Sequence, residues 1–342
     1  MSTGARTHAG LVAGVVGLGV GEQHAHAYAR HSAVRRVCLY DHDVERARAV
    51  GARVANGEVA ESFEAMLTDT SLDIVSIASF DDAHYRQVCA ALAAGKHVFV
   101  EKPLCRSLAE LAEIKRLWVA AEGRLKLGSN LVLRASPLYL WLRDAVARGE
   151  FGEVYAFDGD YLYGRLEKVT QGWRRDVAAY SVMQGGGIHL IDLLLWITTQ
   201  RPQSVAAAGN RTCSRGSDFR YDDFCAATMR FESGLVARIT ANYGCVHRHQ
   251  HVMRVFGTRR TFLYDDMGAR VHDTRDPGSA AKSIDHAPLP EGKGDLIPGF
   301  IASVLGLATD GADTQSFFDG ICVAIACDRA AASGQVENVE YL

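Results

Sequence analysis

The sequence predicts an α/β protein, with a doubly wound parallel sheet in its N-terminal part and a largely antiparallel sheet with a few helices in its C-terminal part. Three observations predict it. Short apolar runs alternate with helical patterns as far as about Gly128, which is the pattern of crossover connections between parallel strands. A glycine-rich loop follows the first apolar run and opens a helix. After Arg148, longer runs with period-two alternation replace the short buried ones.

The elements follow in order. Leu11–Val16 is a strand, Glu22–His31 a helix, and Arg36–Tyr40 a second strand ending at Asp41. Val44–Ala55 and Ser62–Leu67 read as helices, followed by a third strand, Asp73–Ala78. His84–Ala94 is a helix stopped by Gly95, and Val98–Val100 a strand running into Glu101-Lys102-Pro103. Helix Leu108–Ala121 and strand Leu125–Gly128 complete the first pattern. The second begins with helix Ser136–Arg148, then strands Val154–Leu162, Ser204–Ala208, Phe224–Phe231, Leu235–Tyr243 and Val252–Phe256. Phe231–Leu235 has the composition of a hairpin turn. Ile188–Thr198 is a strongly apolar helix, Asp273–Gly294 a polar surface segment, and Phe317–Ala332 a closing helix.

With 342 residues the chain exceeds one ordinary core, and the change of pattern divides it into 1–129 and 130–342. A hydrophobic fraction of 48% and a charged fraction of 23% describe a globular chain, not a disordered one. The net charge is −3 and no basic block occurs, so neither nucleic acid nor a membrane surface is an expected partner. The eight cysteines include no C-x-x-C pair and read as reduced thiols; with a polar Met1–Gly10 lacking the features of a signal peptide, the expected location is the cytoplasm.

Gly17-Leu18-Gly19-Val20-Gly21 has the context of a dinucleotide loop, between a strand and a helix. Gly17 suits a tight turn, and Gly19 lets the backbone of Leu18 and Val20 come close to a pyrophosphate at a helix N-terminus. The third glycine, Gly21, stands one residue early, with Glu22 in the regular place. Asp41 closes the second strand where an acidic group bonds adenine ribose hydroxyls; its charge opposes a 2′-phosphate and favours NAD over NADP, with Arg46 acting the other way.

The stretch Ala94-Gly95-Lys96-His97-Val98-Phe99-Val100-Glu101-Lys102-Pro103-Leu104 resembles the Gfo/Idh/MocA oxidoreductase family. Asp73–Ala78, His84 and Gly185-Gly186-Gly187-Ile188-His189-Leu190-Ile191-Asp192 fit the same family. The resemblance implies a Rossmann domain followed by a domain with a large, open, mainly antiparallel sheet whose free face serves homo-oligomerisation, as a dimer or tetramer. It implies oxidation of a sugar or cyclitol hydroxyl, or reduction of the matching ketone. Lys102 and His189 fall on the family's catalytic positions, and Ser79, His84, Glu101 and Lys102 join the glycine loop and Asp41 around the cofactor. Gly185 stands where many members carry an aspartate, which leaves Asp192 as a candidate to orient His189. An NAD-dependent glycoside hydrolase and a dinucleotide-responsive regulator are the alternative activities; retention of Lys102 and His189 speaks against the regulator.

Chemistry gives these residues roles. A base near neutral pKa suits removal of an alcohol proton, and histidine is the usual choice. By periodicity alone His189 is a core histidine of an apolar helix; the glycines before it move the reading to a site. Lys102 at a strand's carboxyl end suits stabilisation of a developing alkoxide, though a lysine snorkelling to solvent has the same signature. Tyr161, Tyr163, Arg165, Trp173 and Arg174 suit a polyhydroxylated ring, and Asn130 joins them as a candidate substrate contact; a solvated loop with packed aromatics fits them equally. His247, His249 and His251 alternate as on an exposed strand or substrate rim, and no metal is expected.

Overall fold

A computed structural model describes residues 10–307 and 314–342; the expectation for Met1–Gly10 lies, but for Gly10, outside the described residues. The chain divides into two compact units. The first comprises the described residues of Met1–Cys105, Ala109–Val132 and Glu291–Thr314; the second comprises Arg106–Leu108, Leu133–Pro290 and Gln315–Leu342.

The first unit alternates β1 (Leu11–Val16), α1 (Gly21–Arg30), β2 (Val34–Tyr40), α2 (Val44–Gly51), β3 (Gly57–Val59), α3 (Phe63–Thr68), β4 (Ile74–Ile77), α4 (His84–Ala93), β5 (His97–Val100), α5 (Leu108–Ala120) and β6 (Leu127–Ser129). The strands form one parallel sheet in the order β3-β2-β1-β4-β5-β6, the doubly wound Rossmann arrangement. β1 and β4 are buried almost end to end because helices cover both faces of a parallel sheet. Helix starts carry local signals: Asp43 accepts from Arg46 N–H at 3.1 Å and Ser62 from Ala65 N–H at 2.9 Å.

The second unit contains α6 (Pro137–Ala147), β7 (Val154–Leu162), α7 (Glu167–Thr170), α8 (Ile188–Thr198), β8 (Pro202–Asn210), β9 (Phe224–Phe231), β10 (Val236–Asn242), β11 (Gln250–Gly257), β12 (Thr261–Asp265), β13 (Gly268–His272) and β14 (Lys282–Ser283). Its nine-stranded sheet also includes the C-terminal β15 (Glu337–Asn338), in the order β14-β13-β12-β11-β7-β10-β9-β8-β15. All pairings are antiparallel except β7 with β10. Inward residues such as Phe157, Tyr161, Ile239, Met253 and Val255 are buried. On the other face Arg238 meets Asp158 and Asp160, and Arg254 meets Asp160. The hairpin at Phe231–Leu235 is closed by Gly234 at φ 90°.

Two helices complete the chain, α9 (Ile297–Val304) and α10 (Thr314–Ser333). α9 corrects the single expected boundary at 129/130. Its apolar face, Ile297, Phe300 and Ile301, belongs to the core of the parallel sheet, with Phe300 5.3 Å from Phe99. Gly128 makes room for it, since a Cβ there would lie 2.9 Å from the Phe300 ring. The expected reading of Asp273–Gly294 as surface holds except for the short β14, while β3, β12, β13 and β15 are additions. Among the described residues no helix is long and apolar enough to cross a membrane.

Candidate functional site

In a parallel sheet all strands end on the same edge, and the first unit gathers its candidate residues there. The loop after β1 makes its turn at Gly17, φ 81°, where a Cβ would lie 2.5 Å from the Ala78 carbonyl oxygen and the Ser79 nitrogen. A Cβ at Gly19 would meet nothing within 4 Å, so this part of the loop faces open space. Gly21 begins α1, and a Cβ there would be 3.1 Å from both Ala78 and Val15. The early third glycine therefore performs the close helix–strand packing that the regular position provides elsewhere.

Asp41 is almost fully buried at the end of β2. Its Oδ2 accepts from Leu18 N–H at 2.7 Å and its Oδ1 from Asp43 N–H at 2.9 Å, while Arg46 comes within 3.5 Å. Asp41 thus ties the glycine loop to the second strand. The residues fit a dinucleotide: an open backbone face, a helix N-terminus and an acidic group stand on one edge.

The end of β5 is supported from beneath. His24, fully buried on α1, bonds Ser76 Oγ at 2.9 Å through Nδ1 and stands 3.3 Å from Glu101 through Nε2. Burial alone would raise the Glu101 pKa; bonding to His24, the charges of His24 and Lys102, and Asn130 together hold it down at about 2. Asn130, expected at the substrate, is buried, and its amide donates to Glu101 at 2.6 Å and to the Lys293 carbonyl at 2.8 Å. His84 is likewise fully buried, with ring nitrogens 2.7 Å from the Pro103 carbonyl and 3.1 Å from that of Ser79. It links two strand-end loops, the second carrying the Lys102–Pro103 cis peptide. His24 was missed by sequence reasoning; a histidine on the inward face of α1, among Gly21, Ala25, Ala27 and Tyr28, was its signal.

The second unit carries His189 in the first turn of α8, directly after a π-helical turn over Met183–Gly187. The three glycines have specific neighbours. A Cβ on Gly185 would overlap the Tyr180 hydroxyl and lie 3.0 Å from that of Tyr243, and one on Gly186 would overlap the Tyr161 ring. Tyr161 stacks on His189 with centroids 6.2 Å apart and stands edge-on to His249 and His251 at 5.1 and 5.3 Å. Tyr163 stacks on Tyr161 at 5.9 Å, and the Arg165 guanidinium lies 5.5 Å over Tyr163. Arg174 lies 4.6 Å over Trp173 and donates from Nε to the Tyr180 hydroxyl at 3.0 Å. The aromatic and basic residues singled out in the sequence are therefore one cluster, and His189 belongs to it.

Two expectations change. Asp192 gives both carboxylate oxygens to Arg134, at 3.0 and 2.5 Å, inside the core, so it holds Arg134 in place of the expected role of orienting His189. Burial raises its pKa and Arg134 opposes the rise. Of the three alternating histidines only His251 lies in β11, and it is buried, not exposed. His247 bonds Asp266 at 3.0 Å, which raises its pKa. Among the described residues no cluster of three or more His, Cys, Asp or Glu is placed to hold a metal.

Residues 11–129 match the model of an oxidoreductase family with an NAD-binding Rossmann fold, and residues 139–263 that of the GFO/IDH/MocA C-terminal domain. A 1,5-anhydro-D-fructose reductase of Ensifer adhaerens is 26% identical, over 89% of this chain and 91% of its own. An inositol 2-dehydrogenase of Acidothermus cellulolyticus is 32% identical over 60% of this chain and 59% of its own. Among solved structures, a levoglucosan dehydrogenase in complex with NADH superposes with a TM-score of 0.83 at 20% identity, covering 97% of this chain and 100% of that one. That likeness shows the fold.

Proposed function

The chain belongs to the Gfo/Idh/MocA oxidoreductase family, and from that premise we propose that it is an NAD-dependent dehydrogenase or ketoreductase acting on a hydroxyl or ketone of a sugar, sugar derivative or cyclitol. The observation that carries the proposal is the strand-end edge of the first unit, where the open Gly19 backbone, Asp41 and the Glu101-Lys102-Pro103 turn stand together. Leu18, Gly19, Val20 and the start of α1 would hold the pyrophosphate, and Asp41 would hold the adenine ribose and repel a 2′-phosphate. Ser79 and His84 shape the same edge. The bound nicotinamide supplies the acceptor or donor of hydride.

The chain's own residues supply the proton chemistry. Lys102 bonds the substrate oxygen and stabilises its negative charge as the proton leaves. His189 takes that proton in oxidation and returns it in reduction. Tyr161, Tyr163, Arg165, Trp173 and Arg174 bind the ring hydroxyls. Asp192 acts indirectly, by anchoring α8 through Arg134.

The test is NADH absorbance against a panel containing myo-inositol, levoglucosan, 1,5-anhydro-D-fructose and simple glucosides. Net turnover of free NAD(H) with a panel member is the expected result. Calorimetry showing no NADH binding, together with no turnover, would reject the proposal. We further propose that the charged outer face of β7, β10 and β9 joins copies of this chain into a homo-oligomer. Light scattering at micromolar concentration should give a multiple of 37.1 kDa, and a monomeric mass counts against it.

A further inference from the structure

We propose that Asp328 on α10 is a positioning residue for His189: through Ser181 and Gln184 it holds the π-helical turn that sets the register of α8. The inference rests on the reading of His189 as the general base.

Three observations on the second unit carry it. The first is the contact itself. Ser181 Oγ donates to Asp328 Oδ1 at 2.6 Å and Gln184 Nε2 donates to Oδ2 at 2.7 Å, so both carboxylate oxygens are used. The second is where these partners stand. Ser181 and Gln184 bracket the start of the turn Met183–Gly187. Ser181 also caps it, accepting from Gln184 N–H at 3.0 Å through Oγ and from Gly185 N–H at 2.8 Å through its carbonyl. The third is the reach of the turn. The Met183 carbonyl accepts from Ile188 N–H, the wide bond of a π-helix, and Ile188 directly precedes His189. A Cβ on Gly187 would lie 2.9 Å from the Met183 sulfur, so the turn is tightly packed in this form. Relaxation to an α-helical turn would take up one residue fewer, and a one-residue slip rotates the later side chains by about 100°. Whatever holds the turn therefore sets the direction of His189.

Charge gives the hold its strength, because hydrogen bonds to a carboxylate are firmer than those to a neutral carboxyl. Loss of surrounding water, first of all, raises the Asp328 pKa to about 6; Ser181 and Gln184 oppose the rise, and the carboxylate of Asp222 adds to it. The thiols of Cys225 on β9 and Cys327 on α10 lie near the same carboxyl, and burial lifts the pKa of both. Arg106 reaches the cluster with its carbonyl, 3.4 Å from Gln184 Nε2. The folded pKa of Asp328 stands above the unfolded value of about 4. This group therefore costs stability as pH rises from about 4 to about 6, and nothing further above that. A residue kept only for stability gains nothing from such a charge, whereas one that fixes a turn does.

The experiment uses the full-length protein and Asp328→Asn, which keeps the size of the side chain and removes its charge. Hydrogen–deuterium exchange of the amides of residues 182–189, read by mass spectrometry well above the Asp328 pKa, should be about tenfold faster in the variant. Under the same conditions kcat should fall roughly tenfold with KM for NADH unchanged, while the melting temperature should not fall. In the wild type kcat should drop as pH falls through about 6, and Asp328→Asn should lose that step. A folded variant with wild-type exchange and kcat would overturn the proposal, and so would a lowered melting temperature with kcat unchanged. If Asp328→Asn does not fold, Ser181→Ala takes its place, with faster exchange and lower kcat expected and the absence of both counting as refutation. Exchange does not depend on the chemistry of His189. Faster exchange in Asp328→Asn beside a fully active His189→Ala would thus remove the general-base reading and leave the hold of Asp328 on the turn standing.

Discussion

The molecule has two glycine-rich helix starts, Gly17–Gly21 before α1 and Gly185–Gly187 before α8, and they use the absence of a side chain in opposite ways. At Gly19 the space a Cβ would fill is open, and the backbone is presented to whatever binds there. At Gly185 and Gly186 that space is already taken by Tyr180 and Tyr161 of the same chain. Glycine in front of a helix thus signals close approach, but only the surrounding side chains decide whether a ligand or the protein's own side chains approach.

The comparison can be broken most severely at the second start. His189→Ala should lower kcat by roughly 10²–10⁴-fold with NADH binding retained, and Lys102→Ala, at the end of β5, should lower kcat comparably. Steady-state kinetics and calorimetry check both, and a fully active His189→Ala removes the assigned chemistry. Asp192→Asn leaves Arg134 charged and largely enclosed, and should cost about 3–5 kcal/mol in urea denaturation. An unchanged midpoint would show that the pair does not anchor α8.

The sharpest contrast sets Gly186→Ala against Gly19→Ala. The first should destabilise by about 1–3 kcal/mol, because the new methyl group meets the Tyr161 ring. The second should leave the melting temperature alone and weaken NADH binding. If the melting temperature falls for Gly19→Ala and not for Gly186→Ala, the distinction between the two starts is wrong. The smallest effect is expected at Asp41→Ser, which should narrow the preference for NAD over NADP by about tenfold, or about 1.4 kcal/mol. Equal affinities in the wild type would remove Asp41 as the discriminator.

Local pattern made the parallel sheet legible. Strand Leu11–Val16 and helix Ile188–Thr198 lie where apolar periodicity puts them. Long-range pairing was not legible to the same degree. β12 and β13 are short strands with mixed burial, so alternation is weak, and β3 has no fully buried residue to signal it. α9 escaped notice because Pro298 and Gly299 occupy its first turn. At the site, residue types marked Tyr161, Tyr163, Arg174 and His189 as chemically apt, but their convergence depends on β7, α8 and β11 meeting in space. Asp192 was misjudged because a polar residue in an apolar segment looks functional until its partner is known, here Arg134; the partner of Asn130, Glu101, was equally hidden from the sequence.

The return of Glu291–Thr314 to the first unit has a consequence for how the protein is made. During synthesis the six strands of the parallel sheet leave the ribosome early, but Ile297, Phe300 and Ile301, which cover Phe99 and Ile74, leave near the end. Until then the nascent sheet carries a bare apolar strip, and the N-terminal domain cannot finish before most of the C-terminal domain has been translated. A shortened gene ending at Val132 would leave that strip permanently uncovered and should yield aggregating protein, whereas the same fragment extended by a linker and residues 291–307 should stay in solution.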